Sequence, residues 1–402
     1  MDTRSGNKNS RIIALVANQN EIFFRLRMPW VRFLLELGYK VHAVVPDGVW
    51  TDQIKESGAI FHDWKLSRSG RNPFNEFLSV FGLAMILRRI RPDIVQNFHT
   101  KPNIYVPIAT KLAGSPVTVS TVTGLGYTFV ERTGLKSKFA RRLNLRLYSI
   151  ANRLASEIAF QNPDDLNILR EANCLPGEKG RLLAGGSGVD ISEYSPFSQN
   201  SEKSLELRKT LGISPDTFVA LFLGRLQLDK GLEDFVEAAR ISNRHNKNIA
   251  WVMVGAPDPG NLRSVTENVL ETWKSEGNVI FPGRREDVPA IMAASNVVIT
   301  PTFYREGIPR TLLEASATAL PLIGTDMPGV REVITNDENG YLVPLHSPER
   351  IAAAVEELEV NPTKAERFGR VSLKRARDIY DHNKVLSSYV EMYEGLLKQP
   401  CE

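Results

Sequence analysis

The chain has 402 residues, of which 42% are hydrophobic and 24% charged, with a formal net charge of +4. That length exceeds one comfortable core and predicts two domains, while so slight a basic excess gives no ground for a nucleic-acid partner. Cys174 and Cys401 stand too far apart for metal or redox spacing and fit a reducing cytosol, and no run of about 18 apolar residues exists to cross a bilayer.

The chain opens on a polar stretch. The apolar run at 12–17 is short and ends in Asn18-Gln19-Asn20-Glu21, so it reads as a strand and a loop rather than a signal peptide. Strand and helix then alternate. Strands are predicted over 11–17, 40–46, 59–64, 93–98 and 116–121, with helices over 25–37, 52–56, 74–90 and 103–113. Continuous apolar runs separated by helices indicate a parallel sheet covered on both faces. Such sheets bind ligands at the carboxyl ends of their strands. The loop 18–24, His99, and the loop Thr123-Gly124-Leu125-Gly126-Tyr127 fall at such ends.

Residues 136–154 depart from this rhythm. Lys136, Lys138, Arg141, Arg142, Arg146 and Arg153 are interleaved with Leu135, Phe139, Leu143, Leu147 and Ile150 at spacings near four. Two readings fit: an interfacial helix on an anionic membrane, or a domain helix with a solvated basic face. Short strands are predicted at 156–161 and 180–183, followed by Gly185-Gly186-Ser187-Gly188-Val189-Asp190. The polar stretch 194–203 reads as a linker. The expected domains are therefore 1–195 and 196–380, with a last segment, 381–402, whose helix packs back toward the first domain.

The second half repeats the alternation. Strands are predicted at 218–223, 249–254, 278–281, 296–300, 320–324 and 341–344. Helices are predicted at 231–242, 262–274, 288–294, 329–334, 348–358, 363–380 and 384–397. A further helix starts near Pro309 in the stretch PTFYREGIPRTLLEASATAL at 301–320, where a proline suits the first turn. The expected architecture is α/β: two doubly wound Rossmann-like domains facing a deep cleft.

Three constellations in this half could carry chemistry. The helix near Pro309 has Glu306 before its start and Glu314 about a turn inside. A helix N-terminus favours phosphate, and carboxylates on either side suit a ligand with hydroxyls at both ends and a diphosphate between them. In Gly224-Arg225-Leu226-Gln227-Leu228-Asp229-Lys230-Gly231, a forked and a compact cation flank a tight loop, a natural diphosphate clamp. It is neither a Walker A loop nor a dinucleotide fingerprint. Gly283-Arg284-Arg285-Glu286-Asp287 ends a strand and fits two readings equally: a backbone edge that reads a nucleobase, or a plain turn capped by Asp287. No spacing suggests a metal site.

Together these residues resemble the family-4 retaining glycosyltransferases of the GT-B fold, over nearly the whole chain. EGIPRTLLE at 306–314 fits that family's E-x7-E motif, and GRLQLDKG at 224–231 its phosphate loop. GSGVD at 186–190, SEIAFQNPDD at 156–165 and DMPGVREVITNDENGYLVP at 326–344 follow in family order. The resemblance implies that Arg225 and Lys230 bind the donor diphosphate, assisted by the backbone N–H groups near Ile308 to Thr311, where Pro309, which has no N–H itself, and Arg310 open the helix. Glu314 would hold the ribose, Glu306 would face the donor sugar, and Gly283 and Arg284 would hold the base. His99 would lie near the transferred sugar.

Phe24-Arg25 and the 121–127 segment bring the chain closer to bacterial enzymes that extend undecaprenyl-diphosphate-linked sugars. That implies an acceptor side with Asn18, Arg25, Thr123, Gly124 and Tyr127. It also favours Lys136, Lys138, Arg141, Arg142 and Arg146 as a contact with an anionic membrane. Many family members have a glycine-rich first loop; here it is Asn18-Gln19-Asn20-Glu21. The expected activity is retaining transfer of a hexose or N-acetylhexosamine from a UDP-sugar to a polyprenyl-diphosphate-linked saccharide. No essential metal or cofactor is expected, and the expected place is the inner face of the cytoplasmic membrane. Rival readings are a UDP-sugar 2-epimerase, which would act without acceptor, and an inactive nucleotide-sugar-binding module. A glycoside hydrolase would leave the phosphate clamp idle.

Overall fold

A computed structural model of the chain describes residues 11–66, 73–114, 117–125, 135–196, 202–245, 248–258, 260–261 and 263–398, with backbone alone at 73 and 135–137. The chain forms two compact units, Met1–Ala184 with Asn383–Glu402, and Gly185–His382.

The first unit is built on seven parallel strands: β1 (Ile12–Val16), β2 (Lys40–Val45), β3 (Ile60–Asp63), β4 (Ile94–Phe98), β5 (Val117–Val122), β6 (Glu157–Phe160) and β7 (Arg181–Leu182). Their order is β3-β2-β1-β4-β5-β6-β7. The order reverses between β1 and β4, where Ile13 pairs with Ile94 and Val16 with Asn97. Successive strand residues face opposite sides, so both faces of these apolar strands need cover. Ile13 and Leu15 join one core with Trp30, Phe98 and Val41. Ala14 and Val16 join the other with Leu83, Leu87 and Val106. The covering helices are α1 (Asn20–Glu36), α2 (Thr51–Glu56), α3 (Pro73–Ile90), α4 (Thr100–Ala113), α5 (Leu135–Leu154) and α6 (Pro163–Glu171).

The second unit has six parallel strands: β8 (Phe218–Leu223), β9 (Ile249–Val254), β10 (Ile280–Gly283), β11 (Val297–Thr300), β12 (Leu322–Thr325) and β13 (Gly340–Val343). Their order is β10-β9-β8-β11-β12-β13, reversing between β8 and β11. Its helices are α7 (Glu202–Thr210), α8 (Leu232–His245), α9 (Glu267–Glu276), α10 (Val288–Ala293), α11 (Arg310–Ala317), α12 (Pro348–Val360) and α13 (Pro362–Arg375). The last helix, α14 (His382–Lys398), returns to the first unit. There Val385, Leu386, Tyr389, Met392 and Tyr393 enter the core that holds Trp30 and Phe98. The Tyr393 hydroxyl donates to buried Gln96 Oε1 at 2.7 Å, and Glu394 pairs with Arg11 and accepts from the Tyr39 hydroxyl at 2.9 Å.

Four expectations need correction. The first loop is shorter than 18–24, because α1 starts at Asn20 and fully buried Phe23 anchors its first turn. Residues 329–334 make turns, with Val330, Val333 and Ile334 buried, rather than a helix. The helix expected over 262–274 begins only at Glu267. The one expected over 363–380 gives way at Ala376 to a π-helical turn ending at Tyr380. α6 and α7 lie outside the helices that the sequence predicts.

Candidate active site

In the second unit the loops after β8 and β11 are laced together. Gly231, at a φ of 75°, lies so close to the loop after β11 that a Cβ would stand 1.9 Å from the Pro301 carbonyl oxygen. Only glycine tolerates that approach and that backbone angle. The Asp229 carbonyl accepts from Phe303 N–H at 3.1 Å and from the Thr302 hydroxyl at 3.2 Å. A second glycine, Gly329 at φ 84°, would place a Cβ 1.6 Å from the Gly307 carbonyl oxygen. The segment 301–307 is thus clamped from both sides by backbone.

This clamping brings two charges together. Lys230 Nζ lies 2.5 Å from Glu306 Oε2, with only 17% and 19% of the two side chains exposed. The other carboxylate oxygen of Glu306, Oε1, is buried without a hydrogen-bond partner, as is Asp229 Oδ1. Burial raises the Asp229 carboxyl above its ordinary range, against the pull of Lys230 and Arg263. Orphaned acceptors are rare in folded proteins and ask for a donor. Arg225 is about half exposed, and its Nη1 donates to Asp258 Oδ2 at 3.2 Å, which also accepts from Gln227 Nε2 at 3.2 Å.

α11 begins beside this pair. Its N-cap is Pro309, which has no side-chain acceptor, so no side chain caps the helix. First-turn N–H groups have no intrahelical partner, and their positive end lies three residues beyond Glu306. Ile308 sits against Gly186, and the Thr311 hydroxyl donates to the Leu223 carbonyl at the end of β8 at 3.2 Å. Glu314 is buried. Its Oε1 accepts from Arg310 Nε at 2.6 Å and from the Tyr194 hydroxyl at 3.0 Å. Burial raises its carboxyl above the usual range, with Arg310 opposing the shift. Glu314 is therefore a paired carboxylate in the wall of the site.

Gly283 ends β10, the edge strand beyond β9, and its carbonyl accepts from Gly255 N–H at 3.0 Å. Arg284 reaches out to Glu286 at 3.1 Å. The turn is not capped by Asp287, whose carboxylate is taken by Arg285 Nε and Nη2 at 2.8 and 2.6 Å.

The first unit gathers a second group at its switch point. His99 ends β4 with a φ of 74°, a conformation that is strained for any residue but glycine. Its Nδ1 lies 3.0 Å from the Thr123 hydroxyl, just beyond β5, and its Nε2 is buried and unpartnered. Asn18, just beyond β1, also has a buried, unpartnered Oδ1. Burial, aided by Arg27, pushes the imidazole pKa down to about 3, so His99 is neutral at pH 7. Arg27 itself is buried, 3.7 Å from the centre of the Phe98 ring. Gly124 follows Thr123 at φ 108°. Arg25 pairs with Glu21 at 3.0 Å and lies over the Trp50 ring. Tyr127 lies outside the described residues.

Residues 203–375 match the family described as glycosyl transferases group 1, and residues 12–162 match the glycosyl transferase 4-like family. The chain belongs to the GT-B glycosyltransferases. Over 391 residues it is 24% identical to N,N'-diacetylbacillosaminyl-diphospho-undecaprenol alpha-1,3-N-acetylgalactosaminyltransferase of Campylobacter jejuni, covering 96% of this chain and 99% of the relative. It is 28% identical, over 74% of each chain, to UDP-Gal:alpha-D-GlcNAc-diphosphoundecaprenol alpha-1,3-galactosyltransferase of Escherichia coli. Anabaena HepE in complex with UDP shares the fold, with a TM-score of 0.77 at 18% identity over 96% of this chain and 100% of that one.

Several residues of this candidate site are not among those the sequence points to. Asp258 holds Arg225, Asp229 lies in the electrostatic reach of Lys230, and Tyr304 places its ring 6.0 Å from Lys230 Nζ. The polar composition of 194–203 places Tyr194 in a linker. Asp229 could have been found, since it adjoins Lys230 in the phosphate loop; nothing local marks Tyr194.

On α5 of the glycosyltransferase, Lys138, Arg141, Arg142 and Arg146 are all exposed, and so are Phe139, Leu143 and Ile150. Lys138, Phe139, Arg141, Arg142 and Leu145 line a cavity of about 710 Å³. The side chain of Lys136 lies outside the described residues. No helix among the described residues is long and apolar enough to cross a membrane, and no cluster of three or more His, Cys, Asp or Glu is placed among them to hold a metal.

Proposed function

We propose that this glycosyltransferase moves a hexose or N-acetylhexosamine from a UDP-sugar to a polyprenyl-diphosphate-linked saccharide, with retention at the anomeric carbon. The observation that carries the reading is the Lys230–Glu306 pair beside the uncapped start of α11, with Glu306 Oε1 left without a donor. A cation and a helix end suit a leaving diphosphate. An orphaned carboxylate oxygen suits a sugar hydroxyl. The names of the Campylobacter and Escherichia relatives support an undecaprenyl-diphosphate-linked acceptor, and the UDP in HepE supports a uridine donor.

In the reaction the bond from the sugar's anomeric carbon to the donor phosphate breaks, and a bond from the acceptor oxygen to that carbon forms on the same face. The acceptor's proton passes to the leaving phosphate oxygen. Negative charge grows on the diphosphate, where Arg225, Lys230 and the α11 N-terminus (Ile308 to Thr311) stabilise it in a partly dry site. Glu306 orients the sugar and faces the positive charge that develops on it. Glu314, held by Tyr194 and Arg310, borders the ribose, and Gly283 and Arg284 the base. Neutral His99 is a hydrogen-bonding partner for the sugar, not a cation. Asn18, Arg25, Thr123, Gly124 and Tyr127 form the acceptor side. The cations of α5 hold the enzyme to the anionic inner face of the cytoplasmic membrane. Positive charge comes from side chains and a helix end, so the reading includes no divalent ion.

The test is a donor screen. Purified protein is incubated with UDP-, GDP- and TDP-sugars and bacterial membrane lipid extract, with and without EDTA, and lipid-linked products are weighed by mass spectrometry. A product one sugar heavier, formed from a UDP-sugar and unaffected by EDTA, is expected. Epimerisation of the donor without acceptor, or no turnover of any UDP-sugar, overturns the reading.

A further inference from the structure

The helix α3 exposes an apolar stripe. Phe77, Leu78, Phe81 and Met85 are 65, 49, 54 and 41% exposed, and offsets of one, four and eight from Phe77 put them on one side of a helix. The other side, with Leu83, Leu87 and Ile90, is buried in the core of the first unit. No charged residue occurs between Glu76 and Arg88. Glu76 fixes the roll of the helix. Its carboxylate accepts from Lys101 Nζ at 3.0 Å and from the Tyr105 hydroxyl, both on α4. That anchor leaves the phenyl rings outside.

What covers the stripe follows from its neighbours. α4 packs against both α3 and α5, so the three helices form one layer on one face of the sheet. In a parallel sheet every crossover helix starts at the carboxyl edge of the strands. The first turns of α3 and α5 therefore stand at the same edge as Asn18 and His99. At that edge α5 presents Lys138, Arg141, Arg142 and Arg146 together with Phe139, 70% exposed, and Leu143. Cations interleaved with apolar side chains, beside an uncharged aromatic stripe, match an anionic headgroup layer over acyl chains.

We propose that α3 is the apolar half of a two-helix membrane foot: Phe77, Leu78, Phe81 and Met85 enter the acyl boundary of an anionic bilayer while the cations of α5 hold its headgroups. This rests on the peripheral location proposed above and adds the element that makes attachment resist salt. It also sets the carboxyl edge of the first unit at the bilayer surface, where a lipid-linked acceptor presents its diphosphate.

The test is sedimentation with vesicles of phosphatidylglycerol and phosphatidylethanolamine, which needs neither donor nor acceptor. Its failure therefore leaves the transfer reading standing, and a failed donor screen leaves this one standing. Wild type is expected to bind and to keep part of its binding at high salt. Phe77→Ser with Phe81→Ser is expected to lose that salt-resistant part, with partitioning at least about tenfold weaker. Lys138→Glu with Arg141→Glu loses the salt-sensitive part. A Phe81→Trp variant, which keeps the surface apolar, is expected to be quenched by brominated acyl chains beyond wild type. Unchanged binding of the serine variant, no added quenching at position 81, or a wild-type dimer that the serine variant breaks into monomers would overturn the proposal.

Discussion

Lys230 and Glu306 face each other at 2.5 Å across two loops that join different strands, and only one oxygen of Glu306 is used in the contact. The pair is mostly buried, so salt screens it little. A donor diphosphate that draws on Lys230 must share it with this carboxylate, which ties phosphate binding to the placing of the sugar.

Glu306→Gln keeps the shape and removes the charge. The expected result is a fall in transfer rate of about 100-fold or more, the scale of losing one preorganised electrostatic group, with little change in melting temperature. Lys230→Ala is expected to weaken donor binding as well as rate. The double variant should cost less than the product of the two singles, because each single leaves a buried charge behind. Multiplicative losses would show that the two residues act apart.

The clamp on this segment makes a second prediction. Gly329→Ala forces a Cβ toward the Gly307 carbonyl oxygen, 1.6 Å away, at a φ of 84°. Gly277→Ala has a similar φ, 68°, but open space around the new methyl group. The Gly277 variant is expected to lose about 1 kcal/mol from backbone strain alone. The Gly329 variant should lose roughly 1–3 kcal/mol more from overpacking, and activity with it, because the loop that carries Glu306 must shift. Urea denaturation and a transfer assay on both variants check this; equal losses would remove the clamp from the account.

How much of this was legible follows from what each pattern encodes. FVALFL at 218–223 is a six-residue apolar run closed by Gly224, short enough to favour a buried strand over a helix, and the structure places β8 over those residues. Val330, Val333 and Ile334 show why 329–334 misled: buried turns and helices share the same apolar spacing. Asn20 and Glu21 look like loop residues because nothing local announces that Phe23 is the core anchor two residues on. Lys230 and Glu306 each stand in a readable motif. Their meeting depends on Gly231 resting against Pro301, a contact between distant stretches that no periodicity reports. The same holds for Tyr194, whose hydroxyl bonds Glu314 across 120 residues of sequence.

That bond gives a third prediction. Tyr194→Phe removes one donor from a buried carboxylate and is expected to cost about 1–3 kcal/mol of stability. Arg310→Leu leaves the same carboxylate without its counter-charge and should cost more, about 3–5 kcal/mol. Denaturant titration of the two variants gives the order; a larger loss for the tyrosine change would mean that Arg310 is not the main partner of Glu314.

The histidines set how stability depends on acid. Burial pushes His42 down to about 4, with His62 and Lys40 adding to the shift, and pushes His382 down to about 4 as well, with Arg310 adding. His99 lies at about 3 for the reasons given above. An unfolded imidazole titrates near 6.5. Between that value and about 4 the unfolded chain binds protons that the native chain refuses, so stability rises with pH across this window. The contribution of these groups is complete above about pH 7 and falls as pH drops from about 6.5 toward 4, by up to about 1.4 kcal/mol per pH unit for each histidine. His42 lies in the first unit and His382 in the second, so both units should weaken together. His42→Gln should flatten the slope by about one proton's worth. Urea midpoints at pH 7.5, 6 and 5 for wild type and variant decide it. A slope that the substitution leaves unchanged would mean that His42 already carries its proton in the folded chain.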